Sequence, residues 1–134
     1  MLLSVLFKSL GAPLTNMRGS WGAVRPADNS VFLRVWQDEV KRVGGHMLVR
    51  VTAQGAPEGD QPVGYGERLK HVQLIRDGAK SYMIMCEAVE TGASPRSLKR
   101  FNEREVFVGG ALQELDGDFW LQATERLPVA SVRT

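Results

Sequence analysis

Apolar positions along the chain recur with two different periods, and the switches between them divide it into elements. In residues 2–10, Leu2, Leu3, Leu6, Phe7 and Leu10 fall on one helical stripe, and Gly11 followed by Pro13 closes the run. This pattern predicts a first helix that docks on a sheet. From Trp21 the period changes to two. Trp21–Arg25 reads as a strand, Pro26–Ser30 as a turn and Val31–Asp38 as a second strand, with Val31, Leu33 and Val35 on one face and Phe32, Arg34 and Trp36 on the other. Both faces carry large apolar groups, so neither is plainly turned to solvent. Gly44-Gly45 precedes a third strand, His46–Ala53, and an antiparallel meander is the economical way to join the three.

Residues 54–64 combine three glycines and two prolines, which predicts an exposed, mobile loop within the domain. A second helical stripe follows in Tyr65–Ala79, with Tyr65, Leu69, Val72 and Ile75 on it and Gly78 placed to end it. Ser81–Val89 has almost no polar alternation, the signature of a strand covered on both faces, and is the candidate central strand. Residues 92–105 are polar and basic, and Ser94-Pro95 suits a short helical turn. Val106–Val108, Ala111–Leu115 and Asp118–Ala123 read as strands, the last two joined at Asp116-Gly117, a pair suited to a turn with positive φ at both positions. The tail from Leu127 ends in a short irregular or helical piece. These elements predict one α+β domain over residues 1–134. Its sheet would be strongly curved, mainly antiparallel and of about six strands, open or curled into a pseudo-barrel, with two main helices.

Composition narrows the setting. With 134 residues, 43% of them hydrophobic and 24% charged, the chain can bury a core without metal or disulfide staples. The single cysteine, Cys86, lies in the apolar run from Tyr82 and is expected to be a buried thiol in a reducing cytoplasm. Met1–Leu10 lacks a basic leader and is interrupted by Lys8, which favours the helix over a signal peptide. No run approaches the roughly 18 to 20 apolar residues that cross a bilayer, so no membrane partner is expected. Net charge is +2, yet residues 1–50 hold seven Lys/Arg against three Asp/Glu and residues 51–134 hold ten against twelve. Such asymmetry permits an anionic partner without requiring one.

Signatures of common chemistries are missing. His46 and His71 lie far apart with one unpaired cysteine, so a structural zinc site has no ligand set. The glycine pairs fit no phosphate loop, no Gly-x-Ser-x-Gly elbow occurs, and no cofactor is implied. The one enzyme-like pattern is Asp28 followed by Glu39-Val40-Lys41. It is similar to the aspartate and Glu-x-Lys of restriction-type nucleases, where carboxylates hold Mg²⁺ and lysine assists the attacking water.

For binding, Trp21, Trp36, Tyr65, Arg68 and His71 form a candidate ligand site if the second helix packs beside the mouth of the curled sheet. Aromatic rings and a guanidinium would stack on a planar ligand such as an extruded base. Arg96, Lys99 and Arg100, in a basic segment with Arg104, are candidate phosphate contacts. The competing reading places both tryptophans in the core, leaves His71 satisfied by a neighbour and makes the basic segment an ordinary solvated face.

The stretch Ser20-Trp21-Gly22-Ala23-Val24, with a helix before it and a curled sheet after it, resembles the EVE and PUA-like domains that recognise modified bases. The resemblance covers a tryptophan-glycine strand and an order of elements. It implies a pseudo-barrel and nucleic-acid reading, often beside nucleases in defence systems, and it transfers no binding residues. The expectation is therefore a non-enzymatic recognition domain for DNA or RNA, with a modified base as one candidate ligand. The alternatives are a small-molecule or protein-partner accessory protein and a Mg²⁺-dependent nuclease. A monomer and a homodimer paired through an edge strand are both compatible with an open sheet.

Overall fold

The computed structural model describes residues 1–15, 20–52, 65–93 and 96–133. The apolar stripe near the start forms α1 (Leu3–Ser9), which buries Leu6, Phe7 and the following Leu10. Gly11, at φ +77°, turns the chain back so that the Ala12 N–H reaches Phe7 O at 3.0 Å. β1 (Gly22–Val24) and β2 (Val31–Trp36) pair antiparallel, with Gly22 opposite Leu33. A side chain at Gly22 would run into the Phe32 carbonyl oxygen, so this close approach of backbones needs glycine.

β3 (Val40–Val43) and β4 (His46–Arg50) form a hairpin whose Gly44-Gly45 turn has φ values of +56° and +82°. α2 (Tyr65–Arg76) ends at Gly78, φ +105°, where the Ala79 N–H bonds Leu74 O at 3.0 Å. β5 (Ser81–Ala88), β6 (Leu98–Phe101), β7 (Glu105–Leu115), β8 (Asp118–Pro128) and α3 (Val129–Val132) complete the chain. Asp116 and Gly117, at φ +52° and +82°, make the expected tight turn between β7 and β8.

The strands form one mixed, largely antiparallel sheet in the order β1-β2-β5-β7-β8-β4-β3, which is not closed. β5 is central as expected. One of its edges runs parallel to β2, from Val31↔Ser81 to Trp36↔Cys86. The other pairs antiparallel with β7 at Tyr82 and Met83 and with β6 at Cys86 to Ala88. Between β6 and β7 the chain breaks at Asn102, whose own N–H still bonds Met85 O at 2.9 Å.

The alternation of β2 and β5 sorts their side chains into two cores. Phe32, Ile84 and Cys86 pack with Leu6, Phe7, Leu10, Val129 and Val132 under α1 and α3, while Val31, Leu33, Val35 and Met83 pack with Val49, Leu121, Val72 and Ile75 under α2. Helices thus cover both faces of the central strands. Among the described residues no helix is long and apolar enough to cross a membrane.

Several expectations change. The described residues hold eight strands and three helices, more than the about six and two expected, because β3, β6 and α3 are short and lack a visible period. The first strands do not form a meander, since β2 takes β5 as its second partner and β4 pairs with β8 across the sheet. Leu98–Phe101 is a strand within the segment expected to be loop or helical turn. The proposed loop at 54–64 and the Ser94-Pro95 turn lie outside the described residues.

Candidate functional site

The structure brings four of the five expected ligand residues to the start of α2. The Trp21 ring meets Tyr65 edge-on at 6.3 Å between centroids, and the Arg68 guanidinium lies 5.6 Å from the Trp21 ring. His71 follows one turn along the helix. Arg68 is only 4% exposed, and its terminal donors are directed at backbone oxygens: Nη1 to Val51 O, and Nη2 to Trp21 O at 2.8 Å and Arg34 O at 2.6 Å, while its Nε has no partner among the described residues. It therefore braces β1, β2 and the end of β4 against α2. Burial, reinforced by the nearby Arg34 charge, brings Arg68 down to about 9, so it remains a cation at neutral pH. Burial also lowers His71, against an opposing pull from Glu67, and its Nδ1 has no partner among the described residues.

Trp36 is elsewhere. It sits at the far end of β2, on the α1/α3 face, with Arg34 at 6.0 Å and Arg96 at 5.4 Å from its ring. Arg96 bonds both oxygens of Asp38, at 2.7 and 2.9 Å, and this bond holds the Asp38 carboxyl below its ordinary value. Lys99 and Arg100 share Glu87, at 3.4 and 2.8 Å. Each expected phosphate contact thus already faces a carboxylate.

The residues of the nuclease pattern are not gathered. Asp28, before β2, is bonded at both oxygens by Arg25, at 3.0 and 2.8 Å, while Glu39, beyond the other end of β2, pairs with Arg50 and Arg96. Lys41 lies over the Trp120 ring and pairs with Asp116. No cluster of three His, Cys, Asp or Glu suited to a metal ion occurs among the described residues. Cys86 is buried, and desolvation raises its thiol to about 11.

A different concavity stands out on the α2 face of the sheet. α2 seals the part over Val31, Leu33, Met83, Val49 and Leu121, while Val40, Met47, Met85 and Phe107 are only partly buried at the edge of that core. They floor a depression of about 440 Å³, joined by Phe101 and rimmed by Gln37, Glu87, Arg100, Asn102 and Arg126. Its volume lies in the range of small-ligand sites. Arg126 sits 5.1 Å from the centre of the Phe107 ring. At this end Lys99, Arg100 and Arg126 face Glu87 and Glu105, three cations against two carboxylates. Arg42 adds a fourth: it is two residues on from Val40, on the same face of β3, and opposite Met47.

Of the residues lining this depression, only Arg100 belongs to the sequence-derived set. The rest come from six strands and two connections that a linear reading does not assemble. The available signal was Met85, an apolar residue on the odd face of β5 beyond the part that a helix of 12 residues can cover.

Comparison with known proteins finds no matching family model, no matching curated protein and no matching solved structure.

Proposed function

We propose that the protein is a non-enzymatic recognition domain that binds nucleic acid and seats one base in the depression between the β2–β3 connection, β6 and β7. The observation that carries this reading is an apolar, aromatic floor joined to a cationic rim within one concavity of about 440 Å³. Phe107, on the α2 face, offers a ring for stacking, which tolerates any base because every base has a π-face. Arg126, already over Phe107, and Arg100 at the rim suit the flanking phosphates. Met47 and Met85 are flexible and polarisable, so the floor can adapt to a substituted, modified base. The Ser20–Val24 resemblance to EVE and PUA-like domains points the same way.

In this reading Trp21, Tyr65, Arg68 and His71 support the site instead of touching the ligand. They fix the start of α2, which covers the neighbouring part of the same core.

A small-molecule or protein-partner role draws on one observation, that Arg96, Lys99 and Arg100 each already face a carboxylate. It predicts affinity nearly independent of salt.

Fluorescence anisotropy of short labelled DNA and RNA, single-stranded and duplex, at two salt concentrations tests the proposal. Saturable binding that weakens with salt is expected, and Arg100→Ala with Arg126→Ala should lower the salt slope by about 1 to 2. Both side chains are more than half exposed, so the fold should survive their loss. Absence of binding, or binding indifferent to both substitutions, would overturn it.

A further inference from the structure

Resting on the nucleic-acid reading above, we propose that Met47 and Met85 form a redox modification site, at which a peroxide converts the floor of the depression to sulfoxide and weakens the hold on the bound strand. The chain has five methionines, and their surroundings differ. Met47 on β4 and Met85 on β5 are partly buried and line the depression, so a small oxidant entering its mouth meets both. Met83 is the internal comparison. It lies two residues before Met85 on the same face of β5, yet it is fully buried under α2, in the cluster of Val31, Leu33, Val72, Ile75 and Leu121. Met1 is exposed but is not among the residues that line the depression.

Oxidation of a thioether needs access for the oxidant and a site that can hold the product. A sulfur lone pair attacks one oxygen of hydrogen peroxide, the O–O bond breaks, and the departing hydroxide takes the proton of the transferred oxygen to leave as water. Sulfur loses two electrons and the peroxide gains them. The new oxygen is a polar acceptor. At Met83 it would be buried among apolar side chains without a donor, a cost that opposes the reaction. The depression does hold donors. Asn102 sits beside Met85, with its backbone N–H on Met85 O at 2.9 Å, and its side-chain oxygen already accepts the N–H groups of Arg104 and Glu105 at 2.9 and 3.0 Å. That leaves its NH₂ as a donor. Arg100 has its Nε on Glu87 at 2.8 Å and keeps its terminal nitrogens for a further acceptor.

The modification changes what the depression can hold. A base lying against Phe107 is received by an apolar, polarisable floor, and a sulfoxide on Met47 or Met85 puts a hydrated dipole where that surface was. Affinity should fall while the sealed core stays intact. A dithiol-dependent sulfoxide reductase reverses the step, returning the oxygen as water and forming a disulfide.

The test treats the protein with hydrogen peroxide, maps the added oxygen by peptide mass spectrometry, and follows a short labelled single-stranded oligonucleotide by fluorescence anisotropy before and after. Met47 and Met85 should gain oxygen while Met83 does not, the circular dichroism spectrum should be unchanged, and Kd should rise about tenfold. The double variant Met47→Leu, Met85→Leu keeps the volume of the floor but has no sulfur there. Whatever its own starting Kd, peroxide should leave that value unmoved.

Protection of Met47 and Met85, or oxidation of Met83 as fast as theirs, would overturn the modification site whether or not the strand binds. Selective oxidation with unchanged affinity, or an equal loss in the double variant, would overturn it and leave the nucleic-acid reading standing. So would a loss of binding that comes with a loss of the circular dichroism signal. Absence of binding before peroxide would overturn both. The wild-type oxidation map and Kd ratio decide the matter even if the double variant does not fold.

Discussion

Replacing Arg25 by methionine should destabilise the fold far more than replacing its partner Asp28 by asparagine. Arg25 is 4% exposed, and its guanidinium joins three parts of the chain. Nη1 donates to Leu10 O, at the end of α1, at 3.2 Å and to Val132 O, at the end of α3, at 2.6 Å. Nε and Nη2 hold Asp28, and the group lies 5.1 Å from the Phe32 ring centre. Helix-terminal carbonyls have no partner within their own helix, so methionine would orphan two of them in the core. Each costs about 1–3 kcal/mol. The lost guanidinium–ring contact adds about 1 kcal/mol, for a total near 4 kcal/mol. Asp28→Asn behaves differently. Its side chain is 43% exposed, so water can replace what is lost, and the asparagine oxygen can still accept the Ser30 N–H. About 1 kcal/mol is expected there. For a chain of this length about 4 kcal/mol lowers Tm by about 10–15 °C. Thermal and urea unfolding followed by circular dichroism would read both variants. Equal losses for the two, or a loss below about 1 kcal/mol for Arg25→Met, would refute the claim that this guanidinium satisfies the two helix ends.

Further predictions follow from titratable groups. Burial lowers the His71 pKa in the folded protein, so the unfolded chain binds the extra proton first as pH falls below about 6.5. Stability should therefore decline from pH 7 to pH 5. His71→Gln should flatten that slope in paired urea titrations, and an identical slope in the variant would count against a neutral buried imidazole. The Arg25 bond depresses Asp28, whose contribution is lost only in more acidic solution, below its ordinary value of 3.8. Cys86, raised to about 11, should resist a thiol-reactive disulfide reagent in the native protein and react at once in denaturant. Rapid native-state modification would mean that β5 is more open than its packing indicates.

Much of the fold was legible where a local rule decides it. The leucine stripe and Gly11 mark α1, Gly78 ends α2, and Asp116-Gly117 takes the positive φ that its residues allow. The unbroken apolar run of β5 identifies a strand covered on both faces. What stayed hidden depends on partners distant in sequence. Nothing in Val31–Trp36 names Ser81–Ala88 as its parallel neighbour. Val-Lys-Arg-Val has no period of two, and becomes β3 because the Gly44-Gly45 turn lays it against β4. The ligand residues divide in the same way. Trp21, Tyr65 and Arg68 meet because α2 rests on β1. Trp36 parts from them because its position along β2 places it at the other end, on the α1/α3 face. Its even position was visible, but which helix would cover that face was not. The depression was out of reach, since Val40, Met47, Met85, Phe101 and Phe107 lie on five strands whose order cannot be read from any one of them.

The most direct measurement of the central claim is methyl NMR of methionine-labelled protein titrated with a short single-stranded oligonucleotide. Met47 and Met85 line the depression, Met1 stands exposed at the chain start, and the Trp21 indole reports on the start of α2. Saturable shifts of the Met47 and Met85 methyls, with Met1 unmoved, are predicted. Shifts confined to the Trp21 indole, or no shift at any of these groups, would contradict the assignment of the depression as the nucleic-acid site.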